Sequence, residues 1–408
     1  MKSSATSSPS SCCAEVAPEM NLTLSDEQQM MRESLRRFLK ERYPFALRSA
    51  AALNAGALSK ATWTAMANDL GILGAGFAED LGGMGGGPVE TMIIMEELGH
   101  ALVAEPYIET IVIAGEILSR SGGETARTAL AEVLSGDLLF AYAWAEPGGS
   151  MDPRDIATAA VRDGEGWRLS GHKVVVTAAP WASHLIIPAR TSGKGGDDAG
   201  LSLFLVDKSR PGISLCNYTT IDGRPASDID LDNVAIPSEA MLGAEGAALP
   251  LLDEIADYAI AAMCAEAVGI MTYLLEATMT YTKERRQFGK TLSSFQVLQH
   301  RMADMLIEIE LARSAAYLAT LKLGAAPDVR ARAASAAKVT IGAAGRFVGQ
   351  NAVQLHGAMG MTNELAVGHY FKRLMAISAD FGGEDRHRAR HAVLSAPSRS
   401  ASRPKRMH

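Results

Sequence analysis

The chain has 408 residues, 48% of them hydrophobic and 21% charged, which suits a soluble globular protein and is too long for one simple core, so two or three domains are expected. A net charge of −7 argues against general nucleic-acid binding. The four cysteines, two of them adjacent at Cys12 and Cys13, form neither a disulfide framework nor a metal-ligand spacing; a reducing, cytoplasmic setting and no metal site are expected. No stretch reads as a membrane span, the most apolar one (259–265) being short and bounded by Asp257 and Glu266. Residues 1–20 are Ser-rich, without the apolar centre of a secretory signal or the arginines of a transit peptide, and read as a disordered tail, as do residues 397–408.

From Asn21 the pattern is helical: Ser25 offers an N-cap with acids in the first turn, and Met31, Leu35, Phe38 and Leu39 share one face. Residues 63–70 read as a short helix ended by Gly71. The glycine run from Leu81 to Pro88 misses the G-x-G-x-x-G spacing and follows no β-branched strand, so it reads as a turn rather than a phosphate loop. Helical periods at 89–98, 108–118 and 127–134 complete an all-helical domain over 21–138.

At about Leu139 the helical period ends. Segments 157–161, 167–170, 173–177, 184–189, 201–206, 213–215 and 229–231 read as strands separated by turn residues, which predicts an antiparallel barrel or sandwich over 139–246. Long Ala-rich helical patterns at 251–283, 295–323 and 329–355, with another from about Leu365, predict a four-helix bundle over 247–396. The fold class is α+β, helical–β–helical, and with no βαβ repeat a Rossmann site is not expected.

Residues 281–296, Y-T-K-E-R-R-Q-F-G-K-T-L-S-S-F-Q, join two bundle helices. Arg285, Arg286 and Gln287 set fork-shaped donors side by side before Phe288 and Gly289 break the pattern. Such a corner suits an anionic planar ligand such as a dinucleotide, and equally a solvated helical hairpin.

Arg285-x-Gln287-Phe288-Gly289 with Phe295-Gln296, Gln354-x-His356-Gly357-Ala358-x-Gly360-x-Thr362, Ala145-Glu146-Pro147-Gly148, and Gly171-x-Lys173 with Thr177 occur in the order and spacing of one family. Over about residues 21–395 the chain resembles the flavin-dependent acyl-CoA dehydrogenases, with their three-domain order. The resemblance implies FAD held between two subunits, with Arg285, Gln287 and Phe288 of one chain reaching the pyrophosphate and adenosine of its neighbour's FAD. Gln354 and Gly357 would lie against the dinucleotide, Thr177 would hydrogen-bond the flavin ring, and the strand ending at Ala145 would line it. Ser150 and Asp257 are implied to position substrate. The implied reaction removes a proton and a hydride from the α and β carbons of an acyl-CoA, the electrons passing to an electron-transferring flavoprotein or similar acceptor.

The sequence departs from the family where the base should be. The usual glutamate position after the last bundle turn is Phe381, and the alternative one on the helix before the corner is Ala259, with Ile260 beside it. Ala145 replaces a threonine, Gly383 another, and Gly-Ser-Asp survives only as Gly149-Ser150-Met151-Asp152. Asp380, one residue from the base position, is the candidate base that remains; Glu266 reads as a packed helix acid. These features resemble the small subunits of pimeloyl-CoA and steroid-side-chain dehydrogenases, where a homologous partner often supplies the base. The chain is thus expected to be an acyl-CoA dehydrogenase subunit in a homo- or hetero-oligomer; the alternative is a non-catalytic structural subunit. His387 and His391, four apart among Arg386, Arg388 and Arg390, read as a basic solvated face rather than metal ligands.

Overall fold

A computed structural model describes residues 24–46 and 58–396. The two tails and the adjacent cysteines Cys12 and Cys13 lie outside the described residues. The first helix, α1 (Asp26–Arg42), starts at a reciprocal capping box: Gln28 N–H donates to Ser25 Oγ at 3.2 Å, and Ser25 N–H to Gln28 Oε1 at 3.0 Å. Next come α2 (Lys60–Asn68), α3 (Pro88–His100), a π-helical stretch (Ile108–Gly115) running into α4 (Glu116–Ser121), and α5 (Gly123–Leu134). The Leu81–Pro88 glycines form a packed turn; a Cβ on Gly83 would lie 2.2 Å from the Phe77 carbonyl oxygen.

The β domain is an eight-stranded sheet with its own core around Trp167, Leu185, Phe204 and Ile229. Its longest strands, β3 (Gly166–Thr177) and β7 (Pro225–Ile236), pair antiparallel, with register breaks between Leu169 and Gly171 and between Lys173 and Val176. The strand expected at 229–231 is thus much longer. The sheet is not wholly antiparallel, because β1 (Phe140–Tyr142) runs parallel to β4 (His184–Arg190).

The C-terminal part comprises α6 (Leu249–Glu284), α7 (Gln296–Leu321), α8 (Pro327–His356), α9 (Ala366–Ala379) and α10 (Glu384–Ser395). The last two divide what the sequence reads as one helix. Between α6 and α7 the Arg-Arg-Gln-Phe-Gly corner is a two-stranded hairpin, Arg286–Gln287 paired with Lys290–Thr291. By length and hydropathy α6 would pass as a membrane span, yet 83% of its most apolar window is buried inside the protein. Its apolar surface on all sides is explained by packing on every side.

α3 lies along α6 at backbone contact. A Cβ at Gly269 would stand 1.9 Å from the Glu96 carbonyl oxygen, and one at Gly99 would stand 2.1 Å from the Glu266 carbonyl oxygen. The N-terminal helices and the bundle therefore share one core rather than owning two.

Two buried groups fix the α9–α10 junction. Lys338, 1% exposed, donates from Nζ to the carbonyls of Ile377 and Asp380. His387, also 1% exposed, packs Nε2 at 3.0 Å from the Phe381 carbonyl oxygen and Nδ1 at 3.3 Å from Ser335 Oγ. His387 is therefore part of the interior, not of the solvated face expected from its flanking arginines. Burial is the main cause that lowers its pKa from 6.5 to about 4. In the unfolded chain the imidazole titrates near its ordinary value. Between the two values the unfolded chain holds the extra proton, so stability is complete above about pH 6.5 and is lost as pH falls toward 4. The shift corresponds to about 3 kcal/mol. Urea unfolding at stepped pH should show this early acid phase, and His387→Gln should abolish it.

Candidate active site

A cavity of about 350 Å³ opens where the three domains meet. After β1 the chain leaves the sheet and bends at Gly148 and Gly149, whose φ values of 103° and 73° place both in the left-handed half of the map. This bend lines the cavity with Trp144, Ala145 and Ser150. The opposite lip is the end of β3. There the register break puts Val175 at φ 52°, held by its N–H to Asp228 Oδ1 at 3.0 Å, an oxygen that also accepts from Tyr218 OH at 2.8 Å. Thr177, two residues on, faces the same cavity, and no described residue hydrogen-bonds its hydroxyl.

The loop is anchored from behind. Lys173, fully buried, donates to Glu146 Oε1 at 2.7 Å and to the Pro188 carbonyl at 3.0 Å. Burial lowers the Lys173 pKa to about 8, opposed by Glu146. Burial pushes the Glu146 carboxyl up, but Lys173, the Thr158 hydroxyl and the Ala157 N–H outweigh it and hold the acid below its usual range.

The inner wall carries buried charge from all three domains. Glu109, on the π-helical stretch, accepts from Arg224 Nη2 at 2.7 Å. Arg373 on α9 donates to both oxygens of Glu266, at 2.6 and 2.8 Å, and to Asp222 at 3.0 Å. Burial pushes Glu109 and Asp222 up, and the neighbouring guanidiniums more than reverse this. Glu109, Arg224 and Arg373 all line the cavity.

Asp380 also lines it, with its Oδ2 3.8 Å from Arg373 Nη1. Its side chain is 40% exposed, through the cavity, and desolvation by the surrounding wall raises its pKa above the usual aspartate value, against the pull of Arg373 and Lys338. Phe381 beside it sits at φ 56°, a conformation that costs a bulky residue of order 1–3 kcal/mol. Its ring stacks on Trp144 at 5.3 Å, and Trp144 stacks on Tyr142 at 6.3 Å.

Of the residues singled out in the sequence, Thr177, Ala145, Ser150 and Asp380 come together here. Asp257 does not: 1% exposed, it is held by Arg330 at 3.2 Å and Arg390 at 2.6 Å in an internal ion-pair cluster away from the cavity lining. Arg285, Gln287 and Phe288 are not in the lining either; they lie exposed on the hairpin, Phe288 at 90%. Gln354 is exposed on the last turn of α8, and Gly357 just beyond it has φ 63° with open space where a Cβ would be. The sequence reading missed Glu109, Arg224 and Arg373. The one available signal was Glu109, a lone acid in the apolar run I-E-T-I-V-I-A-G.

The cavity residues fit the ring end of FAD. Tyr142 and Trp144 offer aromatic faces, Thr177 an unengaged hydroxyl, and a Cβ at Gly148 or Gly149 would meet nothing within 4 Å, so backbone there is open to a ligand.

Comparison with known proteins places this architecture. The acyl-CoA dehydrogenase N-terminal, middle and C-terminal domain families match residues 25–137, 141–234 and 255–392. Probable acyl-CoA dehydrogenase YngJ of Bacillus subtilis is 30% identical over 356 residues, covering 85% of this chain and 92% of the relative. The caffeyl-CoA reductase-Etf complex subunit CarC of Acetobacterium woodii is 28% identical over 308 residues, 74% of this chain and 81% of its own. Among solved structures, the glutaryl-coenzyme A dehydrogenase–glutaryl-CoA complex superposes with TM-score 0.85 at 25% identity, covering 92% of this chain and 96% of that one. A variant of the steroid ACAD Tcur3481–Tcur3483 superposes with TM-score 0.81 at 31% identity, covering 91% and 98%. The three domains in sequence, the shared fold and the full-length relatives make this chain a member of the acyl-CoA dehydrogenase family, oxidoreductases that act on acyl-CoA thioesters.

Proposed function

We propose that the chain is a subunit of an FAD-dependent acyl-CoA dehydrogenase that works with a homologous partner and passes electrons to an electron-transferring flavoprotein. The observation that carries the reading is the pairing, in one cavity, of an open ring-binding wall at Trp144, Ala145 and Thr177 with Asp380, a half-buried acid that faces the same space and whose proton affinity is raised. FAD, when bound, supplies the acceptor for the hydride that leaves the β carbon. Asp380 takes the α proton onto a carboxylate oxygen, and its raised pKa strengthens it as a base once ionised. Ser150, whose hydroxyl donates to Asp155, sits on the opposite loop in reach of a substrate.

Two neighbouring features support the partner. The α7 helix exposes Val297 at 63%, Ile307 at 58% and Leu311 at 56%, and it begins one 3-10 turn after the hairpin bearing Phe288. Large apolar side chains left in water along one helix mark a protein contact. A contact there would carry Arg285 and Gln287 outward to a neighbour's dinucleotide and would leave this chain's own cavity to be completed in return. The steroid dehydrogenase relative, named as a pair of chains, supports a hetero-oligomer of the small-subunit type, and the Etf-complex relative supports the electron acceptor.

A second reading, a non-catalytic structural subunit, draws on the stack of Phe381 over Trp144, which occupies space beside Asp380. Flavin absorbance separates the two. The purified chain, alone and with a candidate homologous partner, should be yellow and should bleach fully on acyl-CoA addition only in the complex; full bleaching by the lone chain would remove the need for a partner. Asp380→Asn should slow bleaching by about 10²–10⁴-fold at unchanged flavin content, and the native rate should fall as pH drops through the Asp380 pKa, above the usual 3.8. A rate unmoved by Asp380→Asn would assign the base to the partner. Arg285→Ala should lower flavin content in the assembled oligomer; unchanged occupancy would make the corner a plain hairpin.

A further inference from the structure

The inner wall of the cavity is wrong for a plain hydrocarbon. Ile108, Ile113 and Met263 line it, but so do Glu109, Arg224 and Arg373, all nearly sealed from bulk water. Arg373 spends its guanidinium on Glu266 and Asp222. Arg224 does not. Its side chain is 7% exposed and Nη2 is committed to Glu109, yet the described residues offer no acceptor to its Nε or Nη1. A guanidinium has five N–H donors, and leaving donors unmet in a closed space costs free energy. An alkyl tail laid against Arg224 would strip water from those donors and give nothing back.

Charge fixes the kind of group that fits. The cluster holds three carboxylates (Glu109, Asp222 and Glu266) against two guanidiniums (Arg224 and Arg373), with Asp380 a fourth acid 3.8 Å from Arg373, so it is not a net cationic receptor. A carboxylate tail would meet Glu109 as well as Arg224. A neutral oxygen accepts from Arg224 without that repulsion, and a hydroxyl also has a proton to offer Glu109.

Resting on the acyl-CoA reading above, we infer that the substrate's acyl group carries a neutral oxygen function, a hydroxyl or keto group, which docks on the Arg224–Glu109 pair. The π-helical turn that carries Glu109 then has a role, since π-helical geometry recurs at functional sites and here turns the one acid of a largely apolar stretch toward Arg224. Arg224 and Glu109 are specificity determinants and take no part in moving the proton.

The test is isothermal titration calorimetry on the flavin-loaded full chain with ω-hydroxy, ω-carboxy and unsubstituted acyl-CoAs of four, six and eight carbons. At one length or more the hydroxy thioester should bind at least about tenfold tighter than its alkyl counterpart, the scale of one well-made hydrogen bond, and tighter than the carboxy thioester. Arg224→Lys keeps a cation beside Glu109 but loses the guanidinium's spare donors, and should shrink that hydroxy-to-alkyl ratio toward one. Alkyl binding as tight as hydroxy at every length overturns the inference while leaving the acyl-CoA reading intact. Tightest binding of the carboxy thioester overturns the neutral class. Binding of none of the nine thioesters removes the acyl-CoA reading and the inference with it.

Discussion

Two guanidiniums and three carboxylates, nearly cut off from water, hold the centre of this molecule. Glu109 comes from the N-terminal helices, Asp222 and Arg224 from the β domain, Glu266 and Arg373 from the bundle. Withdrawing each ion from water costs several kcal/mol, which is recovered only when every partner stands in place. Such a cluster contributes little as glue but much as a specification. A small slip of one domain against the others strands a charge in the interior, so the cluster fixes how the three domains meet, and the cavity at their junction takes its shape from the same segments.

What was legible in the sequence followed the range of the interaction. The Ser25–Gln28 cap, the long apolar helix α6 and the strands of the β domain are each written in neighbouring residues, and so is the hairpin corner at Arg285. The charge cluster is written nowhere locally. Arg224 sits in D-G-R-P, which reads as a solvated turn, and its partner Glu109 is 115 positions away. His387 misled for the opposite reason: Arg386 and Arg388 beside it face solvent, but helical geometry turns His387 inward, against Ser335 and the Phe381 carbonyl. Asp257 illustrates the limit of motif matching, since its place in the chain suggested substrate and its surroundings are two arginines of the interior.

Phe381 shows how a strained residue is held in place. An aromatic ring in a left-handed backbone conformation persists only because the turn is determined from outside itself. Lys338 and His387 hold the carbonyls on either side of it, and Trp144 receives the ring. The junction between α9 and α10 is thereby a packed feature, and the titratable group it presents to the cavity is Asp380.

The close approach of α3 and α6 reaches beyond the finished molecule. Gly99 and Gly269 let the two backbones touch, which makes α6 the natural cover for the N-terminal helices. Yet α6 follows the whole β domain in the chain and is synthesised after it. Until then Ile93, Ile94 and their neighbours on α3 stand uncovered, and a contact between such distant segments closes slowly. The hazard that this architecture carries is therefore one of biosynthesis: a nascent chain with apolar N-terminal helices waiting for a helix that begins only at Leu249, in the interval when chaperones matter most.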